Sequence, residues 1–309
     1  MKTFHPSQPE PTRLDIVLAA FLAVSRSQAQ KRIAQGDIRI NGTPASSAHA
    51  LVSSSDTIEV TEAPLPSAEP LPLPPLTILY EDADVVVAEK AAGVLVHPTG
   101  AQGAQEPTLM DAVMTHFPPL AGVGGDALRS GVVHRLDREA SGVLIFAKHD
   151  KAHAFLKEQF KQRLTKKLYD VLVLGRVKDA HGTITFPIAR SAHRGRMAAR
   201  PLSQEGKDAI THYDVVQHYS SSTLLRVHIE TGRTHQIRAH FFALGHPVAG
   251  DTLYVQRNLK QLNLGRLFLH AAELHLTLPN GQEAIFASPL PPDLRQFLEG
   301  LKPMPLSAV

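Results

Sequence analysis

Short apolar segments separated by polar turns dominate the chain after residue 75. They are rich in β-branched residues and have the length of strands, so they predict a sheet. They lie at 76–80, 85–89, 168–174, 183–186, 210–216, 224–229 and 267–269. Segments with helical periodicity interrupt them at about 108–117, about 151–163 and about 235–244. Because strands and helices do not alternate regularly, we expect an α+β fold with a largely antiparallel mixed sheet.

The N-terminal part of the chain has a different pattern. Apolar residues recur at helical spacing over 14–22, and a second helix is expected over 26–35, ending at Gly36. An alternating segment at 38–40 precedes Asn41-Gly42, a pair that predicts a tight hairpin turn. The pattern therefore predicts a small α/β unit made of two helices and a hairpin.

The second of these helices is basic. It carries Arg26, Lys31 and Arg32, which fit either a solvated surface or a face that binds RNA phosphates. The stretch at 63–75 is rich in proline, which fixes φ and lacks a backbone donor, so it predicts an extended spacer. We therefore expect a small unit over 12–62, a linker over 63–75 and a larger domain over 76–300.

Composition and charge narrow the class of protein. The net charge of +3 over 309 residues permits nucleic-acid binding without requiring it. The absence of cysteine excludes disulfides and thiolate metal sites. The longest apolar run, 16–24, is much shorter than the roughly 20 residues of a membrane-spanning helix. The first ten residues lack the apolar core of a signal peptide, so we expect a cytoplasmic protein with no membrane partner.

One polar cluster in the larger domain is a candidate for chemistry. Asp137 lies between Arg135 and Arg138, and the flanking segments 131–133 and 143–147 predict buried strands. A junction of two strands is a rigid place for a reacting group, and adjacent positive charge favours an ionised carboxylate. Taken alone, however, the cluster is better explained as a turn with a solvated ion pair.

The surrounding sequence changes that interpretation. The segment 134–142 resembles the HRLD-x-x-T-S-G signature of the RluA-type pseudouridine synthases, which isomerise uridine in ribosomal and transfer RNA. Other segments similar to this family occur in its order, and together they cover roughly residues 76–290: 84–98, 168–175, 230–240, 245–254 and 266–271. The N-terminal unit resembles the S-four domain, an RNA-binding module named after a small-subunit ribosomal protein. The resemblance implies an RNA partner and a catalytic domain of pseudouridine synthase type.

The resemblance also implies roles for three residues. Asp137 would be the catalytic carboxylate, Arg233 its ion-pair partner, and Tyr169 a residue of the base pocket. A carboxylate can attack carbon or remove a sugar proton, and both routes require it to be deprotonated. Whether it attacks the base, attacks the sugar or abstracts the 2′ proton stays open.

The residues themselves leave alternatives for two of these roles. Arg233 precedes Thr234, the expected N-cap of the third helix, where the helix dipole disfavours a cation, so a local anionic partner is expected. An ordinary surface arginine is the alternative. The ring of Tyr169 is suited to stacking on uracil, although a strand tyrosine more often only packs in a core.

Other residues are assigned by hypothesis. Arg135 is expected to occupy the space that the target base vacates when it leaves its stack. Leu269 is expected to line the base pocket, although a core role fits nearly as well. Basic residues at 157–167 and around an expected loop at 190–200 either are solvated or form a phosphate track for RNA.

We expect neither a metal nor a cofactor. The histidines that invite a metal hypothesis lack the H-E-x-x-H arrangement, so structural hydrogen bonding is expected for them. They are His134, His235, His240, His246, His270 and His275. The chain departs from the family's usual pattern at Ala140, where threonine is usual, and at Val255, where glycine is common. Neither departure removes a group that performs the reaction.

The expected function is therefore isomerisation of specific uridines in large-subunit ribosomal RNA by a monomeric enzyme that has no DNA partner. Transfer RNA is the alternative substrate. A rival from another class is a non-catalytic RNA-binding or ribosome-assembly factor on the same fold, against which Asp137, Tyr169 and Arg233 argue. A hydrolase of nucleotides or phosphoesters is a second rival, and it would normally need a metal site.

Overall fold

The structure divides the chain into two units. A computed structural model describes residues 2–7, 10–22, 24, 26–61, 71–98, 106–191 and 196–305. One unit is Met1–Leu71 and the other is Pro72–Val309. Most of the expected linker, residues 63–70, lies outside the described residues. No helix in the described ranges combines the length and the apolar character needed to cross a bilayer.

The N-terminal unit packs two helices and a small sheet around one apolar core. Its helices are α1 (Leu14–Leu22) and α2 (Arg26–Ala34), and its strands are β1 (Lys2–Phe4), β2 (Thr12–Arg13), β3 (Ile38–Ile40), β4 (Thr43–Pro44), β5 (Leu51–Val52) and β6 (Ile58–Val60). The sheet order is β1-β6-β3-β4, and β2 pairs with β5. Strand β1 was not predicted, and its pairing with β6 extends this unit to residues before Thr12.

The predicted tight turn of this unit is present. Asn41 and Gly42 both have positive φ, 51° and 77°, and Ile40 pairs directly with Thr43. Two positive φ values in a two-residue loop match the twist of the flanking strands. Gly36, with φ 81°, ends α2 as expected.

The C-terminal unit is built on one large sheet. Its strands are β7 (Thr77–Glu81), β8 (Val85–Lys90), β9 (Ser141–Ala147), β10 (Lys166–Leu174), β11 (His181–Ile184), β12 (Ile188–Arg190), β13 (Met197–Ala199), β14 (Thr211–Tyr219), β15 (Ser222–Ile229), β16 (Leu269–Thr277), β17 (Glu283–Ala287) and β18 (Pro303–Met304). Its helices are α3 (Leu109–His116), α4 (Asp150–Lys161), α5 (Gln236–Ala243) and α6 (Pro292–Glu299). The main order is β11-β14-β15-β10-β16-β9-β8-β7. Only β9 and β16 pair in parallel among the described strands, so the predicted α+β fold with a largely antiparallel mixed sheet is confirmed.

The centre of the sheet is buried on both faces. Every residue of β9 is buried, which explains why 143–147 reads as a continuous apolar run without alternation. Helix α4 covers β9 with Ala152 and Leu156, which belong to the same apolar core. The parallel register sets His270 opposite Ser141 and Ala271 opposite Gly142. The polar loop that precedes β9 therefore leads into a fully buried strand that is paired on both sides.

Several elements differ from the sequence prediction. The segment 131–133 is not a strand and contributes only one bridge, from Val132 to Phe146. Part of the expected loop at 190–200 instead belongs to the paired strands β12 and β13. Helix α6 was missed because it begins at the second residue of a proline pair, yet proline is tolerated in the first turn of a helix.

Candidate active site

Asp137 lies on the loop between the Val132 bridge and β9. The peptide N–H of Ala140 donates to the Asp137 carbonyl oxygen over 3.2 Å, which closes a turn just before the strand. The ring Nε2 of His134 accepts a hydrogen bond from the Ile145 amide of β9 over 3.1 Å. The loop is thus tied to β9 before the carboxylate and closed by a turn after it.

Lys90, which sequence reasoning did not single out, fixes the next residue of this loop. Its ammonium is buried and donates to the carbonyl oxygen of Arg138 over 2.9 Å. It also donates to the carbonyl oxygens of Ala91 and Val94 over 2.8 and 2.7 Å. The three acceptors occupy all three donors of the ammonium, so this lysine holds the backbone beside Asp137 in place.

The ion-pair partner of Asp137 is Arg238. Arg238 Nη1 lies 3.4 Å from Asp137 Oδ2 and 3.3 Å from Glu139 Oε2. The Arg238 side chain is 3% exposed and that of Asp137 is 14% exposed. No described residue donates a hydrogen bond to Asp137 Oδ1, so one carboxylate oxygen is fixed by the guanidinium and the other is available to a reactant.

Asp251 holds Arg238 from the other side. Its carboxylate accepts from Arg238 Nε over 2.7 Å and from Nη2 over 2.9 Å, a bidentate pair. Asp251 Oδ1 also accepts from the amides of Leu253 and Tyr254 over 2.8 and 3.0 Å. The Arg238 guanidinium also lies over the Tyr254 ring, 5.2 Å from its centroid. Arg238 is therefore locked in one orientation, with Nη1 directed at Asp137.

Burial and ion pairing shift the pKa values of Arg238 and Asp251 in opposite directions. Burial alone lowers the pKa of Arg238, but the hydrogen bonds and attraction from Asp251 raise it above its ordinary value. For Asp251, burial raises the pKa, whereas the Arg238 hydrogen bonds bring it below the usual value. Both groups are therefore charged at neutral pH, and each supports the charge of the other.

The expected pairing of Arg233 with Asp137 is wrong. Arg233 Nε instead donates to the carbonyl oxygen of Asp208 over 2.9 Å. Helix α5 begins at Gln236, and its N-cap is His235 in the left-handed conformation (φ 55°). The expected N-cap, Thr234, is therefore one residue too early. Arg233 therefore lies before the helix, at the wall of a cavity beside the Asp137 carboxylate.

A sequence signal for Arg238 was present. Arg238 stands among the buried residues Ile237, Ala239 and Phe241 of α5. A charged residue within a buried helix requires a partner, and this rule identifies Arg238 rather than Arg233 as the paired arginine.

A cavity of about 80 Å³ lies beside the Asp137 carboxylate. The sequence-predicted residues Asp137, Arg135, Tyr169, Arg233 and Leu269 all line it. Leu269 and Tyr169 come from the adjacent strands β16 and β10, where Tyr169 pairs with Ala271 next to a register shift. The structure therefore places the expected catalytic carboxylate, its expected partner Arg233, the expected pocket residues Tyr169 and Leu269, and Arg135 around one cavity.

Tyr169 is buried against this cavity. Burial, followed by the charge of Asp137, raises the pKa of the phenol well above its usual value. The hydroxyl therefore keeps its proton and can only donate or accept a hydrogen bond there. Ala140, the first departure from the usual pattern, is also buried in the cavity wall and presents a methyl group where a threonine hydroxyl is common.

The histidines form structural hydrogen bonds. His240 is bonded to Thr211 Oγ1 and to a backbone carbonyl, and His270 is bonded to Ser141 Oγ and to another carbonyl. His246 is bonded to the Leu174 carbonyl. Within the described ranges, no group of three or more histidine, aspartate or glutamate side chains is arranged to hold a metal.

The basic residues of α2 differ in their surroundings. Arg26 contacts the buried carboxylate of Asp15 over 3.1 Å, and Arg32 contacts Asp37 over 3.4 Å. Lys31 is exposed and has no carboxylate partner in the described part of the N-terminal unit. Of the three basic residues of α2, Lys31 therefore has the most freedom to contact RNA.

Family models match most of the chain. Residues 84–243 match the family described as RNA pseudouridylate synthase, a range that includes Asp137, Tyr169 and Arg238. Residues 12–58 match the S4 domain.

Curated relatives and solved structures agree with these matches. An uncharacterised RNA pseudouridine synthase of Mycobacterium tuberculosis is 38% identical over 94% of each chain. The ribosomal large subunit pseudouridine synthase D of Nitrosomonas europaea is 41% identical over 76% of this chain and 68% of its own. The structure of human RNA pseudouridylate synthase domain containing 1 has a TM-score of 0.61 and 27% identity, and the match covers 76% of this chain and 91% of that one.

Proposed function

Because this chain belongs to the RNA pseudouridylate synthase family, we propose that it isomerises uridines of large-subunit ribosomal RNA, with Asp137 as the reacting carboxylate. The observation that carries the assignment is the state of that carboxylate. One oxygen lies 3.4 Å from a buried arginine, and the other accepts no hydrogen bond from the residues that the structure describes and lies beside a cavity that Tyr169 and Leu269 also line.

The reaction breaks the bond from the sugar C1′ to N1 of uracil and forms a bond from C1′ to C5. The proton on C5 leaves to solvent and N1 gains one, so substrate and product have the same atoms. No metal or cofactor is needed in this proposal. Asp137 Oδ1 supplies the electron pair, either by attack on carbon or by taking the 2′ proton. Arg238 keeps the carboxylate oriented.

The remaining cavity residues bind the base. Tyr169 stacks on the uracil ring and its protonated hydroxyl is available to a uracil oxygen. Leu269 packs against the ring from β16. Arg135 is exposed at the rim, with no ion-pair partner among the described residues, so it can fill the space left by the extruded base. Arg233 lies at the same rim and is close enough to the cavity to contact the substrate.

The choice of ribosomal RNA rests on two supports. Two relatives with 41% and 35% identity carry the name ribosomal large subunit pseudouridine synthase D. The S4 domain adds a second RNA-binding surface to the chain, which suits a large folded RNA. The relatives with this name come from bacteria, in which ribosomal RNA is modified in the cytoplasm, so the proposal places this protein there with RNA as its principal partner.

Mapping pseudouridines in cellular RNA tests the proposed function. Cells with and without the gene are compared across ribosomal and transfer RNA. We expect one or more pseudouridines of large-subunit RNA to disappear without the gene and to return with the wild-type copy. Loss confined to transfer RNA would refute the proposed substrate, and no loss in either RNA would refute the proposed function.

A further inference from the structure

A second cavity, of about 500 Å³, shares a wall with the cavity of about 80 Å³ beside Asp137. Arg135, Tyr169 and Arg233 line both. The larger cavity is also lined by Arg129, Lys157, Lys161 and Lys167, and Asp126 is the one carboxylate among its lining residues in the described part of the chain. A concave surface with this excess of positive charge attracts an anion.

Lys167 is the unusual member of this group. It is 9% exposed, and its ammonium has no hydrogen bond or ion pair with any described residue. Its Nζ lies 5.9 Å from the centroid of the Phe160 ring, which is itself stacked on His134 at 4.5 Å. Burial, with a smaller effect of Arg163, lowers the pKa of Lys167 to about 8. The fold thus holds a largely desolvated cation that has no acceptor among the described residues, at a cost in stability.

The other lysines with low exposure are satisfied by the protein itself. Lys90 donates to three carbonyl oxygens. Lys148 contacts Glu81 over 3.0 Å and donates to the Asp82 carbonyl over 2.7 Å. Lys167 differs from both because its acceptor is absent from the described residues, and its position in the cavity wall leaves room for an acceptor that arrives with a ligand.

We propose that Lys167 is the centre of a phosphate-binding subsite that holds the RNA backbone next to the target uridine. The proposal rests on the proposed function. A nucleotide carries a phosphate on either side of its sugar, so a cavity that shares a wall with the base pocket is within reach of a flanking phosphate. Phe160 and His134 line the same cavity, and their low-polarity rings strengthen the attraction of the ammonium to an anion there. Exposed Lys157 and Lys161 add positive charge at the rim.

Lys167→Met tests the subsite, and Lys166→Met is its matched control. Lys166 is adjacent on β10, is exposed and does not line the cavity. Binding of each full-length protein to an in vitro transcript of large-subunit ribosomal RNA is measured over a range of salt concentrations. For Lys167→Met we expect about tenfold weaker binding and a salt slope smaller by roughly 0.7–0.9, the value for one phosphate contact. For Lys166→Met we expect a slope like that of wild type.

A second measurement separates binding from folding. Because an unpaired buried charge is removed, Lys167→Met should raise Tm by several degrees relative to wild type while it weakens RNA binding. Lys167→Arg should keep the wild-type salt slope. A lowered Tm together with an unchanged slope would show a structural role and overturn the subsite.

Neutral linkages test the location of the phosphate. Short RNAs that contain the modified uridine carry a single methylphosphonate linkage on its 5′ or 3′ side. We expect one of these linkages to weaken binding of wild type but not of Lys167→Met; equal penalties in both proteins would overturn the subsite. Pseudouridine formation by wild type on the unmodified RNA is scored separately, and its absence would refute the proposed function without changing how the binding comparison is interpreted.

Discussion

Removal of the negative charge of Asp251 tests whether the orientation of Arg238 depends on its ion pair with Asp251. In Asp251→Asn, Oδ1 still accepts from the amides of Leu253 and Tyr254, so the local turn keeps its hydrogen bonds. The changed atom is the one that faces Arg238 Nε over 2.7 Å. The substitution therefore removes the negative charge together with the 2.7 Å hydrogen bond, and it leaves the acceptor of Arg238 Nη2 in place.

The expected effect is large because both groups are buried. The side chain of Asp251 is 0% exposed and that of Arg238 is 3% exposed. Loss of one partner of a buried pair costs about 3–5 kcal/mol, and asparagine keeps part of the hydrogen bonding, so we expect about 3 kcal/mol less free energy of unfolding. The freed guanidinium no longer presents a fixed Nη1 to Asp137, so product formation should fall at least about tenfold.

The assay is urea unfolding followed by far-ultraviolet circular dichroism, since the chain has no tryptophan. Asp293→Asn is the control. It breaks a 3.2 Å contact with Arg266 in which the aspartate is 54% exposed, and an exposed pair contributes less than about 1 kcal/mol. If Asp251→Asn destabilised the protein no more than Asp293→Asn, Arg238 would not depend on the Asp251 charge, and the reasoning would be refuted.

Three further substitutions probe the sheet, the second cavity and the N-terminal unit. Gly142→Ala should lower Tm far more than Gly281→Ala, because a Cβ at Gly142 (φ 121°) collides with the Ala271 backbone whereas one at Gly281 meets nothing within 4 Å; equal Tm losses in thermal unfolding would contradict this. Burial lowers the pKa of Lys167 from 10.5 to about 8, so the unfolded chain binds more protons between these values. Wild type should therefore gain up to about 3 kcal/mol of stability relative to Lys167→Met as the pH rises from 8 to 10.5, and a constant difference in urea midpoints would speak against it. Lys31→Gln should weaken RNA binding without changing Tm, because Lys31 is exposed; unchanged affinity in a titration would remove this residue from the interface.

Local chemistry explains what the sequence could predict. The hairpin at Asn41-Gly42 follows from the two residue types that best tolerate positive φ, and no distant contact is needed. The buried strand β9 follows from an uninterrupted apolar run. The short β17 was missed because Phe286 is its one buried residue, which gives it no strand pattern of its own, and it forms by pairing with β16.

Contacts between residues distant in sequence account for most of the site features that the sequence did not predict. The resemblance pointed to Arg233, whereas the arginine that faces Asp137 is Arg238, on the buried helix α5. Arg238 and Asp137 are 101 residues apart in sequence. Lys90 likewise meets the Arg138 carbonyl across 48 residues. Such contacts depend on how β8, β9 and α5 pack, which periodicity alone does not encode.

The reactivity of Asp137 is the central claim, and Asp137→Asn tests it most directly. Purified wild type and variant are incubated with ribosomal RNA that carries tritium at uridine C5, and tritium release reports the new bond at that carbon. Glu139→Gln is the matched control, because Glu139 also contacts Arg238, at 3.3 Å, but is 47% exposed. We predict that Asp137→Asn binds RNA like wild type and releases tritium at least about 10²-fold more slowly, while Glu139→Gln stays near the wild-type rate. Tritium release by Asp137→Asn at the wild-type rate would contradict the account.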